Sequence, residues 1–85
     1  MATYKVLYWQ EIPSQVRAED DEDEVTLPLP EKFLERIDRV AIQRGLQGSD
    51  DYLAQWTWSE EQERDGSARE VAEAVITELE AGANW

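Results

Sequence analysis

The chain has 85 residues, enough for one domain spanning residues 1–85. Twenty acids against eight bases give a net charge of −12, which repels nucleic acids and anionic lipid surfaces and favours basic protein surfaces. There is no cysteine and no histidine, so disulfides, thiolate chemistry and the usual proton shuttle near neutral pH are excluded.

Hydrophobic residues make up 41% of the chain, and four Trp and three Tyr add large buried area to a lean core. A stability on the order of 5 kcal/mol is expected for such a domain. The N-terminal residues lack the apolar stretch of a signal peptide, and the longest apolar run is Val6 to Trp9. With no cysteine staple in so small a domain, the expected compartment is the cytoplasm.

Residues Thr3 to Glu11 are rich in β-branched and aromatic types and predict a first strand. Tyr4, Val6 and Tyr8 share one face; Lys5, Leu7 and Trp9 share the other. Pro13 ends this strand, and Gln15–Leu29 returns as one irregular antiparallel element. Within that return, residues 19–24 are six consecutive acids, EDDEDE. Such a run repels itself and buries nothing, so it predicts a mobile loop. One place for this loop is over the basic flank formed by Lys32, Arg36 and Arg39, as a cover for a docking surface.

Pro30 opens a helix that runs to Arg44, with Gly45 placed to cap it. Phe33, Ile37, Val40 and Ala41 form its apolar stripe, with Leu34 at the margin. Residues Leu53 to Glu60 read as a third strand in which Ala54, Trp56 and Trp58 point one way. A short helix through Trp56 is the alternative. The polar residues 61–66 turn the chain. Ser67 and Glu70 then form a capping box before a helix through Glu80, with Val71, Val75 and Leu79 stacked at four-residue spacing.

The expected order is strand, strand, helix, strand, helix. That predicts an α+β two-layer sandwich, with a three-stranded, mostly antiparallel sheet and two amphipathic helices on one face. The other sheet face is left for solvent or a partner, and an exposed strand edge would permit a homodimer.

Little here carries chemistry. The serines have no imidazole to activate them, and the four glycines form no phosphate loop. Carboxylate-only catalysis needs a deeper cleft than 85 residues usually build. The acid run lacks the glycine and carbonyl pattern of a calcium loop. The expectation is therefore a non-enzymatic protein with no cofactor and no metal.

Two segments carry a family resemblance. Tyr8-Trp9-Gln10-Glu11-Ile12-Pro13-Ser14-Gln15-Val16 resembles a YW-x-[DE]-IP-x-QV signature. Leu29-Pro30-Glu31-Lys32-Phe33, Ile37-Asp38-Arg39 and Asp50-Asp51-Tyr52-Leu53-Ala54-Gln55-Trp56 resemble LPE-x-F, ID-R and D-x-YLA-x-W patterns. Together they are similar to a small bacterial "virulence factor" domain, also found in a conserved virulence protein with HEAT repeats. The acid run departs from that pattern, whose members often carry bases there. The resemblance implies a bacterial cytoplasmic protein and supplies no catalytic residue.

The leading expectation is a protein-interaction or regulatory module. Its docking surface is expected on the open sheet face around Trp9 and Trp56, with Gln10, Glu11 and Gln15, since Trp dominates binding hot spots. The runner-up that the resemblance implies is an accessory subunit of a bacterial one-carbon enzyme complex, acting in folate or corrinoid methyl transfer.

Overall fold

The computed structural model describes residues 1–46, 48 and 50–83. The fold is α+β, with an antiparallel sheet and helices packed on it. The elements are β1 (Ala2–Trp9), β2 (Ile12–Glu19), β3 (Glu24–Pro28), α1 (Glu31–Gln43), α2 (Asp50–Ala54), β4 (Trp56–Trp58), β5 (Gln62–Arg64) and α3 (Ala68–Ala81). The sheet runs β3-β2-β1-β4, and β5 pairs with β1 beside β4. It thus has five strands rather than three, and the described helices include the short α2 besides the two expected ones.

The first correction lies in the acid run. It does not bulge from one irregular strand; it makes a tight turn between two. Asp20 Oδ1 accepts the backbone N–H groups of Glu22 (2.8 Å) and Asp23 (2.7 Å), and the Asp20 N–H donates to Asp23 O (2.9 Å). An aspartate bonding its own backbone two residues on is a turn former despite the surrounding charge. Glu19 and Glu24 then pair across the turn, and Arg17 of β2 is salt-bridged to Glu24 of β3 at 2.7 Å.

The second correction is at 50–64. The expected strand over 53–60 is divided between α2 and β4, and the polar segment after it forms β5. Both strands lie on the same edge of β1. Leu7, Tyr8 and Trp9 pair with Trp58, Thr57 and Trp56, while Ala2, Thr3 and Tyr4 pair with Arg64, Glu63 and Gln62. Ser59 bridges the break between them: the Val6 N–H donates to Ser59 Oγ (2.9 Å) and the Ser59 N–H donates to Val6 O (2.8 Å). A hydroxyl here replaces a ladder carbonyl, so the edge of the sheet is interrupted between β4 and β5 without orphaning the Val6 amide of β1.

Cross-strand rows fix which face is packed. Tyr4–Ala18–Val25 and Val6–Val16–Leu27 form the packed rows, with Val6, Val16 and Ala18 buried. Thr3–Glu19–Glu24 and Lys5–Arg17–Thr26 form the opposite, charged rows. A register shift follows Leu7, where Ser14 is left out of the ladder and its hydroxyl donates to Leu7 O. Pro13 sits next to this bulge, where a missing donor is tolerated.

The helices follow the sequence pattern closely. α1 buries Phe33, Ile37, Val40 and Ala41, and leaves Leu34 and Ile42 exposed. Its end is a Schellman motif: the Leu46 N–H reaches Ala41 O, the Gly45 N–H reaches Ile42 O, and Gly45 takes φ +68°. α3 buries Ala68, Val71, Ala72 and Val75 behind a complete Ser67–Glu70 capping box. α1 packs chiefly on β2, whereas α3 packs across β1, β2 and β3. No helix among the described residues is long and apolar enough to cross a membrane.

Candidate docking groove

The residues expected to form one docking patch are placed in three different settings. Trp9 is fully buried at 0% exposure, so it belongs to the core. Its indole N–H donates to Tyr52 O at 3.0 Å, and its ring lies 5.5 Å from the Tyr52 ring. Trp56, paired with Trp9 on the neighbouring strand, is half-buried and meets Tyr52 edge-on at 6.2 Å. α2 brings Tyr52 over this end of the sheet and closes it. Burial, and secondarily the charge of Asp38, raise the Tyr52 phenol above its ordinary pKa.

Gln10 and Glu11 form the two-residue turn of the β1–β2 hairpin. Gln10 has φ +55°, a left-handed conformation that a non-glycine residue adopts at a cost. Gln15 lies farther along β2, half-buried opposite Leu7. The exposed tryptophan of the sheet is Trp58, at 38%, with the Lys5 ammonium 4.9 Å from its ring centroid. Trp9 and Trp58 occupy the same face by register, so alternation alone does not separate the covered one from the open one.

A groove of about 450 Å³ opens where α1 and α3 both come down beside the hairpin. Tyr8, Glu11, Ile12 and Pro13 supply the hairpin side. Phe33 and Arg36 supply the α1 wall. Glu78, Leu79, Gly82 and Ala83 supply the α3 wall. Ile12 and Phe33 are buried, so the floor is rigid and apolar; Glu11 and Glu78 are exposed on the rim. A concave, mostly apolar site of a few hundred Å³ with few polar groups is the usual form of a binding pocket.

The rim charges are tethered. Glu78 forms a two-pronged ion pair with Arg64 of β5, whose Nη1 donates to Glu78 Oε1 at 3.0 Å. This guanidinium holds the Glu78 carboxyl below the usual carboxylate range, and Glu78 in turn raises Arg64. Glu11 reaches Arg44 at 3.4 Å, an exposed and weaker pair. The bases Lys32, Arg36 and Arg39 line a separate depression along α1 with Glu35.

The acid turn does not cover that basic flank. Asp20, Asp21 and Glu22 share a hollow with Met1, Gly66 and Ser67 instead. The reason is the Ala68 amide at the start of α3, which captures the Asp20 carboxylate. Among the described residues, no group of three or more acids is arranged to hold a metal ion.

The hairpin motif and the Leu-Pro-Glu-Lys-Phe segment, separated in sequence, meet in this groove through Tyr8, Glu11, Ile12, Pro13 and Phe33. The virulence factor family matches residues 7–83, nearly the whole described chain. The chain belongs to the virulence factor family. Comparison with curated proteins and with solved structures gives no match. Sequence reasoning found the motif residues of this virulence factor domain, but not the contribution of Leu79, Gly82 and Ala83. Leu79 read as part of a core stripe, and only the placement of α1 relative to α3 leaves it at the edge of an opening.

Proposed function

We propose that this virulence factor domain is a protein-interaction module whose docking site is the groove between α1, α3 and the β1–β2 hairpin. One observation carries this reading. Tyr8, Glu11, Ile12, Pro13 and Phe33, all from the two segments that carry the sequence resemblance, line the same opening.

Gly82 offers a clean way to fill it. It lines the groove, has ordinary right-handed φ, and an added Cβ would meet only ordinary contacts at 3.7 Å. Gly82→Phe therefore occupies the opening without backbone strain. The test is affinity capture from bacterial cytosol, followed by calorimetry with the purified partner. Wild type and Trp58→Ala are expected to bind one stoichiometric partner, and Gly82→Phe, shown by circular dichroism to be folded, to lose it. Retention by Gly82→Phe, or no partner at micromolar concentration, overturns the reading.

A further inference from the structure

The groove has a charged neighbour on α1. Arg36 lines both the groove and the depression of about 140 Å³ along the helix, where Lys32, Glu35 and Arg39 stand beside it. Lys32, Arg36 and Arg39 are spaced i, i+4 and i+7, so one flank of α1 carries all three. The two surfaces are therefore continuous, an apolar floor running into a basic ledge. The Lys32 ammonium also lies 5.6 Å from the ring centroid of Phe33, which belongs to that floor.

Elsewhere the bases are engaged. Arg17, Arg44, Arg64 and Arg69 each hold a carboxylate. Lys32 and Arg39 are exposed and form no ion pair among the described residues, in a chain with twenty acids. Among those residues, the depression sets three bases against one acid, Glu35. The acid turn adds nothing here, because the Asp20 carboxylate is held at the start of α3 by Ala68. The rim carboxylates of the groove, Glu11 and Glu78, are taken up by Arg44 and Arg64. The charge left open beside the groove is thus positive.

Two features select what fits. The floor of Tyr8, Ile12, Pro13 and Phe33 suits a large apolar side chain. The net charge of −12 repels extended polyanions such as nucleic acid or an anionic bilayer. A short segment with a few acids brings little charge, and beyond about 8 Å the distant carboxylates are screened at physiological salt. We infer that this surface takes an acidic protein segment, with an aromatic or large aliphatic anchor in the groove and Asp or Glu beside it on Lys32 and Arg39. This inference rests on the groove being the docking site, and it assigns the chemistry of what docks.

The test uses a displayed library of about 12-residue random peptides selected against the whole protein, with Gly82→Phe as the counter-target. Expected are peptides that pair a Trp, Phe or Leu with neighbouring Asp or Glu. Their affinity is expected to fall about threefold in each of Lys32→Gln and Arg39→Gln, as for an exposed ion pair. Arg69→Gln makes the same change in net charge on α3 and is expected to leave affinity unchanged. Groove-dependent peptides without acidic enrichment overturn the inference and leave the groove standing. So do peptides that respond no more to Lys32→Gln and Arg39→Gln than to Arg69→Gln. Peptides that bind Gly82→Phe equally well, or no selectable peptides, overturn the groove and the inference with it.

Discussion

The carboxylate of Asp20 accepts the backbone N–H of Ala68, the first residue of α3, at 2.8 Å. Its other oxygen holds the turn between β2 and β3 through Glu22 and Asp23. One side chain thus closes a hairpin and satisfies an amide at a helix start. The six acids of the run are not equivalent. Asp20→Ala is expected to lower the melting temperature, and Asp20→Asn to restore part of the loss, because an amide oxygen can still accept. Neutralising Asp21, Glu22 and Asp23 together is expected to leave the melting temperature unchanged or slightly higher, because only repulsion is removed. Thermal melts of the three variants by circular dichroism check this; equal losses in all three would contradict the latch.

The same contacts set an acid limit. Three backbone N–H groups, that of Ala68 first, hold the Asp20 carboxyl below its ordinary pKa. Glu24 is lowered by Arg17, Glu70 by the Ser67 amide and hydroxyl, and Glu78 by Arg64. A depressed folded pKa stabilises fully above the unfolded value, about 4 for these carboxyls, and the contribution disappears as pH falls through the folded value. Stability is therefore expected to be flat with respect to these groups near neutrality and to decline below about pH 4. Urea midpoints from pH 7 to pH 2.5 test this. The decline is expected to be shallower in Asp20→Asn, which has no proton to take up at that site.

Trp9 is expected to report on folding, not on docking. Its ring is wholly buried and its indole N–H is bonded to Tyr52 O. Trp9→Ala is expected to cost about 3–5 kcal/mol, comparable to the whole stability of a small domain. Trp9→Phe keeps most of the apolar area and loses the hydrogen bond, for about 1–3 kcal/mol. Urea denaturation measures both. A folded Trp9→Ala protein with near-native stability would show that the pairing with Tyr52 is dispensable.

The helices were legible because their information is local. α1 and α3 declare themselves by apolar spacing, a glycine after α1 and a capping box before α3. β1 was legible from its β-branched and aromatic run. What escaped depends on contacts distant in sequence. The turn at 20–23 is fixed by a bond to residue 68, and Trp9 is closed off by residue 52. β5 is a polar segment held by the bond from Tyr4 to Gln62 and by the Arg64–Glu78 pair, neither of which periodicity records. At the site, the hairpin motif was visible, but its meaning was not. The groove lies between the hairpin, α1 and the end of α3, and no residue within the motif encodes where α3 comes to rest.

Ser59 holds the join between β4 and β5. Removing its hydroxyl leaves the Val6 N–H, in the central strand β1, without its acceptor. Ser59→Ala is expected to cost about 1–2 kcal/mol, the penalty for orphaning one partly buried donor. The backbone bond from the Ser59 N–H to Val6 O remains, so the loss should be local. Amide hydrogen exchange is the discriminating measurement. Val6 is expected to exchange much faster in the variant, while Val16 on the neighbouring strand keeps its protection until global unfolding.

Gln10 stands at a position that suits glycine better. A two-residue hairpin loop with positive φ at its first residue alone follows the type II′ pattern, which favours glycine there. Gln10 also buries its side-chain Oε1 with no hydrogen-bond partner among the described residues. Both features oppose folding, one through backbone strain and one through lost hydration. Gln10→Gly removes both and is expected to raise stability by about 1 kcal/mol, less the entropy that glycine adds to the unfolded chain. The urea midpoint should rise with an unchanged slope. Glu11, Ile12 and Pro13 keep their places in the groove, so peptide binding should persist in this variant. A fall in stability would mean that the Gln10 carboxamide makes a bond, through water, that outweighs the strain of its backbone.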